Sequence, residues 1–211
     1  MMKEGYIATN NGEEISKPFL LGVKHKLFYA SKQRKMELLA FVLRKRIKGK
    51  VIVFRRTTFG AEKVLKSLLK LGHKAVCLHS EKSREEQKNA MDQFNSFDVG
   101  FLVLTDVKLK SLNLERVGVI INFDLPTIPE AYLDRQLLML SKGISFVFCS
   151  IEEKKTVRVI EEIIDKRLVV EKNHPFNDDP EEFIAGVRRP DNTSRKSRKS
   201  DASKKKKKRW Y

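Results

Sequence analysis

Three segments of this chain, Ser83-Arg84-Glu85-Glu86, Thr127-Ile128-Pro129-Glu130 and Ser150-Ile151-Glu152-Glu153, share one spacing. Each sets a hydroxyl three residues ahead of a glutamate, the arrangement in which side chains and backbone cap one another at a helix start. Each also follows a short apolar run, or the turn ending one: Ala75–Leu78, Val117–Asn122 and Ile144–Cys149. Helix starts recurring behind buried strands confine a chain to a βα repeat. A parallel sheet with helices on both faces follows.

The rest of the pattern agrees. Lys26–Ala30, Val51–Phe54 and Val99–Leu104 read as further strands, the β-branched Val51–Phe54 run being suited to burial on both faces. Apolar periodicity predicts helices over Ser31–Lys48, with Leu39, Val42, Leu43 and Ile47 inward, and over Thr58–Leu71, with Gly72 as C-cap. The helix after Ser83 buries Ala90, Met91 and Phe94; the one after Ser150 buries Val157, Ile160 and Ile164. The expected fold class is α/β, a three-layer sandwich with a mostly parallel sheet. It occupies residues 25–176, between a flexible leader (1–24) and a disordered, Lys/Arg-rich tail (177–211).

Charge separates the body from the tail. The net charge is +17, and Gly186–Tyr211 alone holds 12 Lys/Arg against two Asp. Such a segment neutralises phosphates with counterion release, giving affinity without sequence choice. Lys204, Lys205, Lys206, Lys207, Lys208 and Arg209 are its densest run. The tail has no amphipathic apolar face, so nucleic acid is the expected partner and membrane is not. Trp210 and Tyr211 add weak stacking capacity. Cys77 and Cys149 lie inside strand-like runs and read as reduced core residues of a cytoplasmic protein. The four histidines show no metal-ligand spacing, and no catalytic constellation emerges, so neither a metal nor a catalytic residue is assigned.

Val51-Ile52-Val53-Phe54-Arg55-Arg56-Thr57-Thr58-Phe59-Gly60-Ala61 resembles the fourth motif of DEAD-box RNA helicases. His79, Thr105-Asp106, Ile121-Asn122-Phe123-Asp124-Leu125-Pro126 and Tyr132 follow in that family's order, and Val169–Phe176 resembles the ending of its bacterial RhlE-type branch. The resemblance spans about residues 24–176 and covers only the second, C-terminal RecA-like domain of such an enzyme. It implies a RecA-like fold and RNA contacts at Arg56, Thr57, Thr105 and Asp106. The family's Gln-x-x-Arg is reversed as Arg84-Glu85-Glu86-Gln87, which either keeps a phosphate contact through Arg84 or loses it. Arg55 reads as a solvated charge, and Thr105-Asp106 reads equally as an RNA contact or as a turn after a buried strand.

The family's nucleotide machinery is broken. The chain has neither a G-x-x-x-x-G-K-[ST] phosphate loop nor an Asp-Glu-Ala-Asp run. The pattern's arginine, glycine and aspartate after Thr-Asp correspond to Lys110, Ser111 and Asn113. Its His-Arg-x-Gly-Arg-x-Gly-Arg helix corresponds to Asp134–Ser141. Arg135 remains, the finger arginines become Leu138 and Ser141, and the stretch is about three residues short. Asn113 and Arg135 are the degenerate nucleotide-binding residues. An arginine finger contributes roughly 10³–10⁵ in rate, so ATP with Mg²⁺ is expected as a cofactor only with a first domain in trans. The resemblance thus implies an RNA-binding domain without ATPase activity of its own, with RNA near ribosome assembly as partner. The alternatives are half of a split helicase, and a module docking a protein through Leu137–Leu140.

Overall fold

The computed structural model describes residues 6–8, 14–16, 22–44, 47, 49–96, 98–105 and 114–178. Their central feature is a seven-stranded sheet in the order β5-β6-β4-β7-β8-β3-β9. Its strands are β3 (Lys24–Tyr29), β4 (Val51–Arg55), β5 (Ala75–Leu78), β6 (Phe101–Thr105), β7 (Val117–Asn122), β8 (Met139–Cys149) and β9 (Val169–Val170). Every pairing in this sheet is parallel. The expected α/β sandwich is therefore the fold.

Strand alternation divides the core. Val51 and Val53 of β4 point to one face with Phe28, and Ile52 and Phe54 point to the other. On the first face lie α1 (Lys35–Leu43) and α2 (Thr58–Lys70), through Leu38, Leu39, Val42, Ala61, Val64 and Leu68. On the second lie α3 (Arg84–Asn95), α4 (Ala131–Gln136) and α5 (Lys154–Ile163), through Phe94, Tyr132, Leu133, Val157 and Ile160. Cys77 and Cys149 are free and buried, and burial pushes both thiols up to about 12.

Two of the three capping boxes form. Ser83 accepts from the Glu86 amide while Glu86 accepts from the Ser83 amide, and Ser150 with Glu153 repeats the arrangement ahead of a single 3₁₀ turn, Ile151–Glu153, that leads into α5. Thr127–Glu130 does not form one. Ala131, Tyr132 and Leu133 donate to the carbonyls of Ile128, Pro129 and Glu130, so tight i→i+3 backbone bonds, not a Thr127 side-chain cap, lead into the helix. α4 starts only at Ala131 and carries no side-chain cap.

Other expectations shift. The helix foreseen over Ser31–Lys48 occupies Lys35–Leu43, after a turn closed by the Arg34 amide on the Ser31 carbonyl. The leader contains two paired strands, β1 (Tyr6–Ala8) and β2 (Glu14–Ser16), in antiparallel register with Ile7 opposite Ile15. No helix among the described residues is long and apolar enough to cross a membrane.

Candidate nucleic-acid interface

Parallel strands bring their C-terminal ends to one edge of the sheet, the edge at which open α/β sheets bind ligands. Arg55 pairs in register with Thr105 across β4 and β6, and Asp124 follows the end of β7. Arg56 and Thr57, which follow Arg55, are thus brought to the same edge as Thr105. Thr57 is the N-cap of α2, its hydroxyl accepting from the Gly60 amide at 3.1 Å. Thr57 is exposed as a residue, and its hydroxyl retains its own proton to donate. Thr105 is buried, and Arg84 is exposed as the first residue of α3. Asp106, Asn113, Lys204–Lys208 and Arg209 lie outside the described residues.

The two arginines at the end of β4 have different tasks. Arg55 is no solvated charge: its guanidinium lies 3.2 Å from Asp124 and stacks 4.1 Å from the Phe123 ring centroid. Burial lowers its proton affinity, against the pull of Asp124. Arg56 is 46% exposed, yet it donates to the Leu125 carbonyl at 3.2 Å and to Glu153 Oε1 at 3.0 Å. An RNA phosphate must therefore compete with a carboxylate for this side chain.

Glu153 is the electrostatic hub. Its Oε2 accepts from Lys35 Nζ at 2.8 Å, from the Ser150 amide at 3.0 Å and from the Ser150 hydroxyl at 3.1 Å. Burial alone would raise this carboxyl. The Lys35 charge and the hydrogen bonds outweigh it and hold Glu153 below its ordinary value. The capping-box spacing revealed Glu153 as a helix-start residue; nothing in the sequence linked it to Lys35 or Arg56.

Arg135 is placed differently from its expected nucleotide role. It is 0% exposed, donates at 2.9 Å to both Asn122 Oδ1 and the Asp124 carbonyl, and lies 4.5 Å from the Phe54 ring centroid. Asn122 continues to Ser145 Oγ (3.1 Å), which meets the Tyr132 hydroxyl at 3.0 Å, and that hydroxyl lies 2.9 Å from His25 Nδ1. Arg135 ties α4 to the end of β7, and its full burial denies it to a phosphate in solvent.

The segment expected to carry finger arginines is no longer helical. α4 ends at Gln136, and the chain enters β8 at Met139, which pairs with Val117. Only Gly118 lies on β7 between the partners of Met139 and Ile144, so β8 bulges there. Gly143 makes this possible: a Cβ at that position would fall 2.5 Å from Met139 Cγ and 2.9 Å from the Gly118 carbonyl oxygen. Leu138 and Met139 are core residues beside Phe54 and Ile120, while Leu140 is exposed. The apolar run is thus mainly buried packing, and a protein-docking patch over Leu137–Leu140 loses its central members.

Residues 34–137 match the model of the helicase conserved C-terminal domain. This chain contains the C-terminal helicase domain of the DEAD-box family. The helicase domain is 32% identical over 151 residues to the ATP-dependent RNA helicase RhlB of Shewanella pealeana, covering 70% of this chain and 35% of that protein. RhlB from Escherichia coli O1:K1 / APEC is 30% identical over 113 residues, 54% of this chain and 27% of the relative. The chain thus spans about a third of the length of these curated relatives. Among solved structures, the C-terminal domain of the DEAD-box protein Dbp5 superposes with a TM-score of 0.65 at 20% identity, covering 70% of this chain and 88% of that one. E. coli SrmB, solved bound to the regulator of ribonuclease activity RraA, gives 0.63 at 19% identity, covering 71% and 90%. The helicase domain's relatives named here are RhlB enzymes; the RhlE-type ending is a finer likeness than they address.

Proposed function

We propose that this helicase C-terminal domain binds RNA without hydrolysing ATP on its own. The observation that carries the reading is the early end of α4. In the positions that the family pattern gives to finger arginines stand Leu138, packed in the core, and Ser141, within strand β8. The remaining arginine, Arg135, is buried and hydrogen-bonded. No cationic side chain from this helix is then left to meet the charge developing on a transferred phosphoryl group. ATP and Mg²⁺ enter only with a phosphate-loop domain supplied by another chain.

RNA binding rests on two surfaces. The sheet edge offers Arg56, Thr57 and Arg84; the tail offers its dense Lys/Arg run. The tail dominates affinity because every cation in it releases counterions, whereas Arg56 must first leave Glu153. We place the protein in the cytoplasm, in the RhlE-type branch and near ribosomal RNA, on the resemblance of its ending and tail.

The test is binding of a single-stranded RNA across a salt series, by full-length protein and by a chain ending before Gly186. With half of the 12 basic tail residues engaged, the log–log salt slope of the full chain is about −4, and truncation removes most of it. Binding insensitive to both salt and truncation refutes the reading. So does RNA-stimulated ATP turnover by the chain alone.

A further inference from the structure

Beneath the sheet edge, side chains distant in sequence converge on a cluster that the RNA surface does not use. Cys77, on β5, and His79, just beyond its end, are two residues apart and so share one side of the extended segment. Glu62 reaches them from α2. A sulfur, an imidazole nitrogen and a carboxylate oxygen of these residues lie within 4.8 Å of one another. His79 is 5% exposed and Cys77 3%, while the Glu62 side chain is 35% exposed at the mouth.

The chemistry of the cluster is specific. A thiolate, a neutral imidazole and a carboxylate together carry two negative charges, which a divalent cation neutralises. Sulfur with nitrogen favours a borderline-soft ion over Mg²⁺ or Ca²⁺. The imidazole is also only half satisfied. His79 Nε2 lies 3.0 Å from Glu62 Oε1, but its Nδ1 is buried with no hydrogen-bond partner among the described residues. An imidazole with one orphaned nitrogen in a closed site is not fully explained by a structural hydrogen bond. Lys82 Nζ, 3.4 Å from Glu62 Oε1, now supplies the positive charge. Its partly exposed side chain can swing into solvent as a cation enters.

We propose that Glu62, Cys77 and His79 bind one divalent cation of the zinc class, these three side chains being its protein ligands. Binding releases the Cys77 thiol proton to solvent and joins α2 to the end of β5, from which the chain leads to Arg84. The sequence conceals this site because Glu62 is 15 residues from Cys77 and shows no ligand spacing with it.

The test is titration of the metal-free full-length protein with Co²⁺, read by its thiolate-to-metal charge-transfer band, followed by displacement with Zn²⁺. One equivalent of Co²⁺ should generate the band and Zn²⁺ should bleach it. Cys77→Ser should abolish the band, and Glu62→Gln should weaken Co²⁺ binding about tenfold or more. Glu62→Gln sits at a partly exposed helix position and keeps the fold. It decides the matter if Cys77→Ser fails to fold by circular dichroism. Absence of a charge-transfer band overturns the proposal. So does a band that survives Cys77→Ser, or unaltered affinity in Glu62→Gln.

Discussion

Replacing Glu153 by Gln tests the electrostatic hub beside the sheet edge. The substitution preserves shape, and the amide oxygen can still accept from the Ser150 backbone, so the helix start survives. What changes is the charge opposite Lys35, whose side chain is 3% exposed against 13% for Glu153, at 2.8 Å. Removing one member of a buried pair leaves the other uncompensated and costs about 3–5 kcal/mol. The contact with the half-exposed Arg56 adds at most ~1 kcal/mol. For an ordered body of this size the sum lowers Tm on the order of 10 °C. Urea denaturation at pH 7, with m unchanged, measures it directly. The double variant Lys35→Met/Glu153→Gln should recover about 2 kcal/mol or more, because no buried charge is then left alone. The sign with pH is also determined. The folded Glu153 carboxyl titrates below its unfolded value of about 4.3. Its contribution is present above that value and is lost as pH falls through the folded one. The gap between wild type and Glu153→Gln should therefore narrow in acid. A loss below about 1 kcal/mol in the single variant, or strict additivity in the double, refutes the reasoning.

Three further outcomes follow from the region between α4 and β8. Gln136 is 0% exposed and neither end of its amide has a partner among the described residues. Gln136→Leu should therefore raise unfolding stability by about 1–3 kcal/mol in urea. Gly143→Ala should cost about 1–3 kcal/mol, because the Gly118 carbonyl 2.9 Å from the new methyl belongs to backbone and cannot step aside. Leu138→Asp places a charge in the core beside Phe54 and Ile120 and should cost about 4 kcal/mol or more, seen as loss of the cooperative thermal transition. A stable, cooperatively folding Leu138→Asp would instead make this residue a surface contact.

Much of the fold was legible because its signals are local. Ser83 and Ser150 cap as their spacing demands, and Val51–Phe54 reads as a strand buried on both faces because alternate side chains meet different helix layers. Thr127 misled because its spacing was right while the helix starts at Ala131, four residues on, through tight backbone bonds to the Ile128, Pro129 and Glu130 carbonyls. The motif positions at the strand ends could be named from sequence, but their occupations could not. Arg55 stacks on Phe123, Arg56 leans on Glu153, and Arg135 lies entirely inside. The sequence by itself determined a parallel α/β domain and the helix starts at Ser83 and Ser150, since caps and periodicity act over a few residues. Only the tertiary structure turned Met139 into a strand residue, gathered Lys35 and Arg56 onto Glu153, and brought Glu62 to Cys77 and His79. Those outcomes depend on which strands become neighbours and how far each charge is taken out of water, and neither is written in any single stretch of chain.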